Sequence, residues 1–192
     1  MYKINDYIIY KREVCIIKDI LLKFYRDNDY YLLSPLSDES LTIKVPVSNK
    51  EIRNLISKDD VEKIIKEIPN INIIDADTKQ LEGIYKELIV NGRHEDLIKI
   101  IKTTYLRNKE RIDNNKKTTD KDNYYFNLAE KYLYEEFSII LNLSYDDTKE
   151  YVINKVNELT KWFFNIIDVV NCYIKYIYYI WNYKSPHTQF DW

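Results

Sequence analysis

Over residues 1 to about 50, short β-branched or aromatic runs alternate with polar connectors: residues 7–10, 14–24, 30–33 and 41–45 read as strands. The connectors Lys11-Arg12-Glu13, Arg26-Asp27-Asn28-Asp29 and Ser37-Asp38-Glu39-Ser40 have hairpin lengths. Pro46 cannot donate a ladder hydrogen bond, so the last strand is expected to end there or lie at a sheet edge. An edge of that kind can accept a strand from another protein.

From Ser57 the spacing of apolar positions becomes helical. Ser57 with Asp60 caps a first helix through Val61, Ile64, Ile65 and Ile68, and Pro69 stops it. Asp77 with Gln80 opens a second through Leu81, Ile84, Tyr85, Leu88 and Ile89, closed at Asn91-Gly92. A third carries Leu97, Ile100, Ile101, Thr104 and Tyr105 on one stripe. Thr119 with Asp122 caps a fourth, whose Tyr125, Leu128, Ala129, Tyr132, Leu133, Phe137 and Ile140 recur at three- and four-residue spacing, and Ser144 with Asp147 caps a fifth. Strands first and helices afterwards predict an α+β chain, a small bent β-sheet or half-barrel followed by an all-α helical bundle. The expected divisions are 1–56 for the sheet, 57–160 for the bundle, and an apolar, aromatic-rich extension over 161–192, helical to about 183.

Composition narrows the chemistry. With 45% apolar and 31% charged residues the chain can bury a core, and a net charge of -2 excludes an everywhere-basic nucleic-acid binder. The Tyr-rich composition, nineteen Tyr against two Gly, carries no functional weight. Cys15 and Cys172 stand far apart without a companion at metal-ligand spacing, so neither a disulfide framework nor a metal site is implied. No glycine-rich phosphate loop, Gly-x-Ser-x-Gly or His-Glu-x-x-His occurs, and His94 and His187 read as surface residues. No catalytic group and no cofactor is implied, and the amino terminus lacks the pattern of a secretory signal, so a reducing cytoplasm is the expectation.

Charge is distributed unevenly. Lys99, Lys102, Arg107, Lys109, Arg111, Lys116, Lys117 and Lys121 face only Glu110, Asp113 and Asp120, which makes a local basic patch at the end of the third helix and the loop after it. Charge alone fits a solvated helix face; a phosphate backbone is the functional alternative.

Several segments in order carry a family resemblance. They are Asn5-Asp6-Tyr7-Ile8-Ile9-Tyr10 with Val14-Cys15-Ile16-Ile17, Tyr30-Tyr31-Leu32-Leu33, Leu41-Thr42-Ile43-Lys44-Val45-Pro46-Val47, and Ile52-Arg53-Asn54-Leu55-Ile56-Ser57. In the helical half they are Ile100-Ile101-Lys102-Thr103-Thr104-Tyr105-Leu106-Arg107-Asn108-Lys109-Glu110, Leu128-Ala129-Glu130, Glu135-Glu136-Phe137 and Ile140-Leu141. Through residue 159 or so the chain resembles the CarD (CdnL) family of bacterial RNA polymerase-binding transcription regulators, whose amino-terminal module is shared with the transcription-repair coupling factor.

That resemblance implies a Tudor-like module docking on the polymerase β-subunit lobe and a helical domain touching promoter DNA at the upstream edge of the bubble, with no bond made or broken. It assigns Lys23, Lys44 and Pro46 to the polymerase, and Arg107, Lys109, Arg111, Lys116, Lys117 and Lys121 to DNA phosphates. The sequence departs from the family near Lys11 and Arg12, where a proline-histidine pair is usual, and in two further places. Asn5 and Glu13 stand where glycine is usual, and Glu13 adopts positive φ poorly, so the first hairpin is expected to differ. The tryptophan that wedges into the minor groove is missing, which leaves Ile73 and Ile74 as candidate aliphatic wedges. The alternative is a polymerase-lobe adaptor without wedge activity, whose aromatic tail recruits a protein or a membrane.

The run at 162–183 lies beyond the resemblance. Asn165, Asp168, Asn171, Lys175 and Asn182 form one polar stripe on an otherwise apolar helix. Helix packing or self-association ranks ahead of membrane contact, because Asp168 and Lys175 would each cost roughly 3 kcal/mol at a bilayer centre.

Overall fold

A computed structural model of the chain describes residues 1–163, so readings for residues 164–192, self-association and membrane contact included, lie outside the described residues. Strands β1 (Tyr7–Tyr10), β2 (Glu13–Tyr25), β3 (Asn28–Pro35), β4 (Ile43–Pro46) and β5 (Ile52–Arg53) precede helices α1 (Lys58–Glu67), α2 (Thr78–Asn91), α3 (His94–Asp113), α4 (Asp120–Leu141) and α5 (Tyr145–Phe163). The fold is α+β: an antiparallel five-stranded sheet of order β4-β3-β2-β1-β5, then helices.

The two long hairpins turn without glycine. Tyr10 faces Glu13 across β1–β2, and the two residues between them, Lys11 and Arg12, have φ of 48° and 77°. Tyr25 faces Asn28 across β2–β3, with Arg26 and Asp27 at 49° and 60°. Positive φ at both central residues is the signature of a type I′ turn, whose twist matches that of the flanking strands. Glu13 itself is the first residue of β2, so the positive φ that glycine would supply falls on Lys11 and Arg12 instead, while Asn5 takes φ 71° as an asparagine can. Register shifts between Ile17 and Asp19, and again between Leu21 and Tyr25, bend β2. Ile8, Cys15, Ile17, Tyr31, Leu33 and Val45 form the buried core of the sheet.

Local signals set most helix ends. The Ser57, Thr119 and Ser144 hydroxyls accept from the N–H of Asp60, Asp122 and Asp147, each at 3.1 Å, as their spacing predicts. Asp77 occupies the N-cap of α2 but its side chain makes no cap bond, and α1 gives way to a single 3-10 turn, Ile68–Asn70, with Pro69 inside it. Gly92 closes α2 at φ 63°, and a Cβ there would lie 2.8 Å from the Arg12 Cγ, so the β1–β2 turn rests on this corner. The helical core is a second cluster, with Ile65, Tyr85, Ile100, Leu133, Phe137 and Val152 contributed by all five helices.

Candidate functional site

At one end of the sheet, β4 is an edge strand with no strand on its outer side among the described residues. Tyr31 faces Val45 and Leu32 faces Lys44, and the Val47 N–H donates to the Asp29 carbonyl at 3.0 Å. Bonded and non-bonded pairs alternate in an antiparallel ladder, so Val45 and Ile43 direct their backbone groups to β3 while Lys44 directs its N–H and C=O outward. Pro46 falls on the outward set, where its missing N–H takes nothing from the ladder, and β4 ends there.

The side chains beside this edge form a shelf. The Lys44 ammonium sits 4.4 Å from the centroid of Phe24, which is 48% exposed and meets Tyr30 edge-on at 5.5 Å. Leu22 and Tyr25 are exposed on the same hairpin. Lys23 takes φ 49° in the bulge, donates its N–H to Asp29 and pairs loosely with Asp27 at 3.5 Å in full solvent. Phe24, Leu22 and Tyr30 were not expected at the site. The signal for Leu22 and Phe24 was present in Leu21-Leu22-Lys23-Phe24-Tyr25, which is apolar on both faces where a half-buried strand would alternate.

At the far end of α3 the structure divides the basic patch in two. Arg107 is tied down: its guanidinium lies 3.4 Å from the buried Asp122 carboxylate and 3.5 Å from the Thr78 hydroxyl, and 27% of its side chain is exposed. Lys121 pairs with Glu82, which also holds Lys86, and those contacts keep the Glu82 carboxyl down at about 2. Lys99 pairs with Glu95, and Lys102 donates to the carbonyls of Ile68, Pro69 and Ile71, pinning the 3-10 turn to α3. Among the described residues, Lys109, Lys116 and Lys117 have no acidic partner. Arg111 donates through Nε to the Lys117 carbonyl at 2.7 Å, which folds the loop back and gathers these cations. The patch that can meet a ligand is therefore Lys109, Arg111, Lys116 and Lys117.

The wedge candidates separate as well. Ile73 is 47% exposed, whereas Ile74 packs on the bundle core and its N–H donates to the Thr103 hydroxyl at 2.9 Å. Both line an open groove of about 730 Å³ between α1, the connector before α2, and α3. Thr103, the partner of Ile74, lies six residues before Lys109 on α3, about 9 Å along the axis.

His94 is a correction. It is not a surface residue: its side chain is 16% exposed, stacks on Phe137 at 5.9 Å, and its Nε2 lies 2.9 Å from Glu136. The reason is tertiary, because α3 begins against α4 at the level of a buried carboxylate. Glu136 is 2% exposed and also accepts from both terminal nitrogens of Arg53, at 2.8 and 2.9 Å, and from the Ile56 N–H at 3.1 Å. Burial opposes its ionisation, but the hydrogen bonds from Arg53 and His94 prevail and hold its carboxyl down at about 2.

The neighbouring carboxyl behaves oppositely. Glu135 is half-buried where α4 meets β2, and its Oε2 is buried without a hydrogen-bond partner. Burial first, and then the charge of Glu13, outweigh the attraction of Lys131 and push it up to about 7. Cys15, buried beside these carboxylates, has its thiol pushed up to about 12, mainly by burial, and is inert as a nucleophile.

Among the described residues no three His, Cys, Asp or Glu side chains converge as metal ligands, and no helix is long and apolar enough to cross a membrane. No protein-family model matches the sequence, and no curated protein matches it.

Proposed function

We propose that the protein is a non-enzymatic transcription regulator of the CarD type, acting in the cytoplasm on RNA polymerase. The β4 edge grips the β-subunit lobe, and Lys109, Arg111, Lys116 and Lys117 steady promoter DNA at the upstream edge of the bubble. The observation that carries this reading is the open edge at Lys44, with outward backbone groups and a cation-capped aromatic shelf beside it. Main-chain pairing gives such an edge affinity for an added strand, and the flanking charge and rings select the partner. These four cations, without acidic partners among the described residues, contact phosphates without reading sequence, and their affinity for free DNA is weak because the chain as a whole is slightly acidic. Docking on polymerase compensates by raising the local concentration of DNA.

The second reading, a lobe adaptor without wedge activity, is favoured by the burial of Ile74 and by the internal pairing of Arg107 and Lys121. One experiment separates the two. With Lys109, Arg111, Lys116 and Lys117 all changed to Glu, upstream DNA protection in a polymerase–promoter complex is lost while binding to the isolated lobe is retained; unchanged protection refutes the DNA contact. Lobe binding is tested by Lys44→Pro, which removes an outward N–H but no bond to β3, and by Lys44→Glu. Both variants should weaken it at least tenfold, and a lobe that binds them normally refutes the docking assignment.

A further inference from the structure

The sheet and the helices have separate apolar cores; Ile9 and Val14, paired across β1 and β2, are buried outside both, and polar contacts add direction where the sheet meets the helices. Arg53 lies on β5, paired with Ile9 of β1, and its guanidinium forks onto Glu136 near the C-terminal end of α4. The same carboxylate takes the N–H of Ile56, one residue before the N-cap of α1, and the ring of His94 at the start of α3. Five residues earlier on α4, Lys131 holds Glu13 of β2 at 2.8 Å. On the corner between α2 and α3, Arg12 lies over Gly92. The sheet is thus fastened through β5, the start of β2 and the β1–β2 turn, to helices that include both flanks of the basic loop. A chain joined only through residues 54–57 would leave the sheet free to swivel.

We infer that Arg53 and Glu136 are positioning residues that lock sheet and bundle into one body, so that the β4 edge and the basic loop stand at a fixed separation and angle. This rests on the function proposed above, to which it adds a geometric requirement: polymerase docking aims the cations at one place on the DNA. A bidentate guanidinium–carboxylate pair suits the task because its planar fork fixes direction as well as distance. The carboxylate's two oxygens are filled by Arg53, Ile56 and His94, so removal of Arg53 leaves Glu136 still bonded to the other two. Arg53→Met is therefore a loosening change, made on a side chain that is itself partly exposed.

The test measures motion in the full chain without polymerase. Residual dipolar couplings of backbone amides are fitted separately for residues 7–53 and 58–160. The native chain should give one alignment tensor for both sets, and Arg53→Met two, with each set still internally consistent, which shows that both cores remain folded. Arg53→Lys, which keeps the charge and loses the fork, is the second variant and should fall between them. Two tensors in the native chain, or one tensor in a folded Arg53→Met, overturn the inference. In the polymerase–promoter complex, Arg53→Met should lower upstream DNA protection by about tenfold with lobe binding unchanged. Unchanged protection also overturns it. Absence of polymerase binding by the native chain would refute the proposed function while leaving the tensor result standing.

Discussion

Changing Glu135 to Gln should make the protein more stable at pH 8 and leave it nearly unchanged at pH 4.5. The carboxyl sits between α4 and β2, with Glu13 and Cys15 facing it from the strand and Lys131 one turn back on its own helix. Burial and Glu13 raise it from an ordinary 4.5 to about 7. Between those values the unfolded chain has released its proton and the folded chain retains it, so stability falls as pH rises through this window and levels off above 7. The full difference corresponds to about 3 kcal/mol, and partial exposure beside Lys131 reduces this to about 1 kcal/mol. Glutamine has the shape of the protonated acid and cannot ionise. Urea unfolding at pH 4.5, 6 and 8 checks this, native and variant side by side so that other titrations cancel. The two stabilities should diverge by about 1 kcal/mol by pH 8, equivalent to about 2–4 °C in melting temperature. Parallel profiles across that range would refute the account of Glu135 as an uncompensated buried carboxyl.

Glu136 has the opposite sign: its carboxyl is held below its ordinary value, so its contribution is complete above pH 4.5 and disappears as pH falls toward 2. Glu136→Gln should cost about 3 kcal/mol at pH 7 in urea unfolding, and equal stabilities there would contradict the hydrogen-bond assignment. Gly92→Ala should cost about 1 kcal/mol, because alanine is strained at φ 63° and its Cβ must push the flexible Arg12 aside; a calorimetric melt reads this as a loss of about 2–4 °C. Phe137→Ala empties a fully buried site under His94 and should cost about 3–5 kcal/mol by the same urea assay. Salt titration of DNA binding in the polymerase complex should give a log–log slope steeper by about 3–4 for the native chain than for the variant with four Glu substitutions, one increment per lost phosphate contact.

The sequence by itself determined whatever depends on near neighbours. A hydroxyl three residues from an N–H it can bond marks a helix start wherever the chain goes next, so Ser57, Thr119 and Ser144 were legible. Apolar positions at helical spacing identified the stripes that became the bundle core, and Pro46 marked an edge because a proline cannot serve an inner ladder. The α+β order followed from the same local signals, while the two-residue β5 carried too little pattern to be seen. Which cations remain free was decided by tertiary structure. Arg107 and Lys121 look like Lys109 and Lys117 along the chain, and differ only because Asp122 and Glu82 come to meet them in space. Glu135 and Glu136 make the point most plainly. They are identical and adjacent, yet the 100° turn between successive helical positions points one toward Arg53, His94 and an N–H, and the other toward a strand bearing Glu13. A charge's worth is set by what surrounds it, and for Glu136 those surroundings come from residues more than forty positions away in sequence.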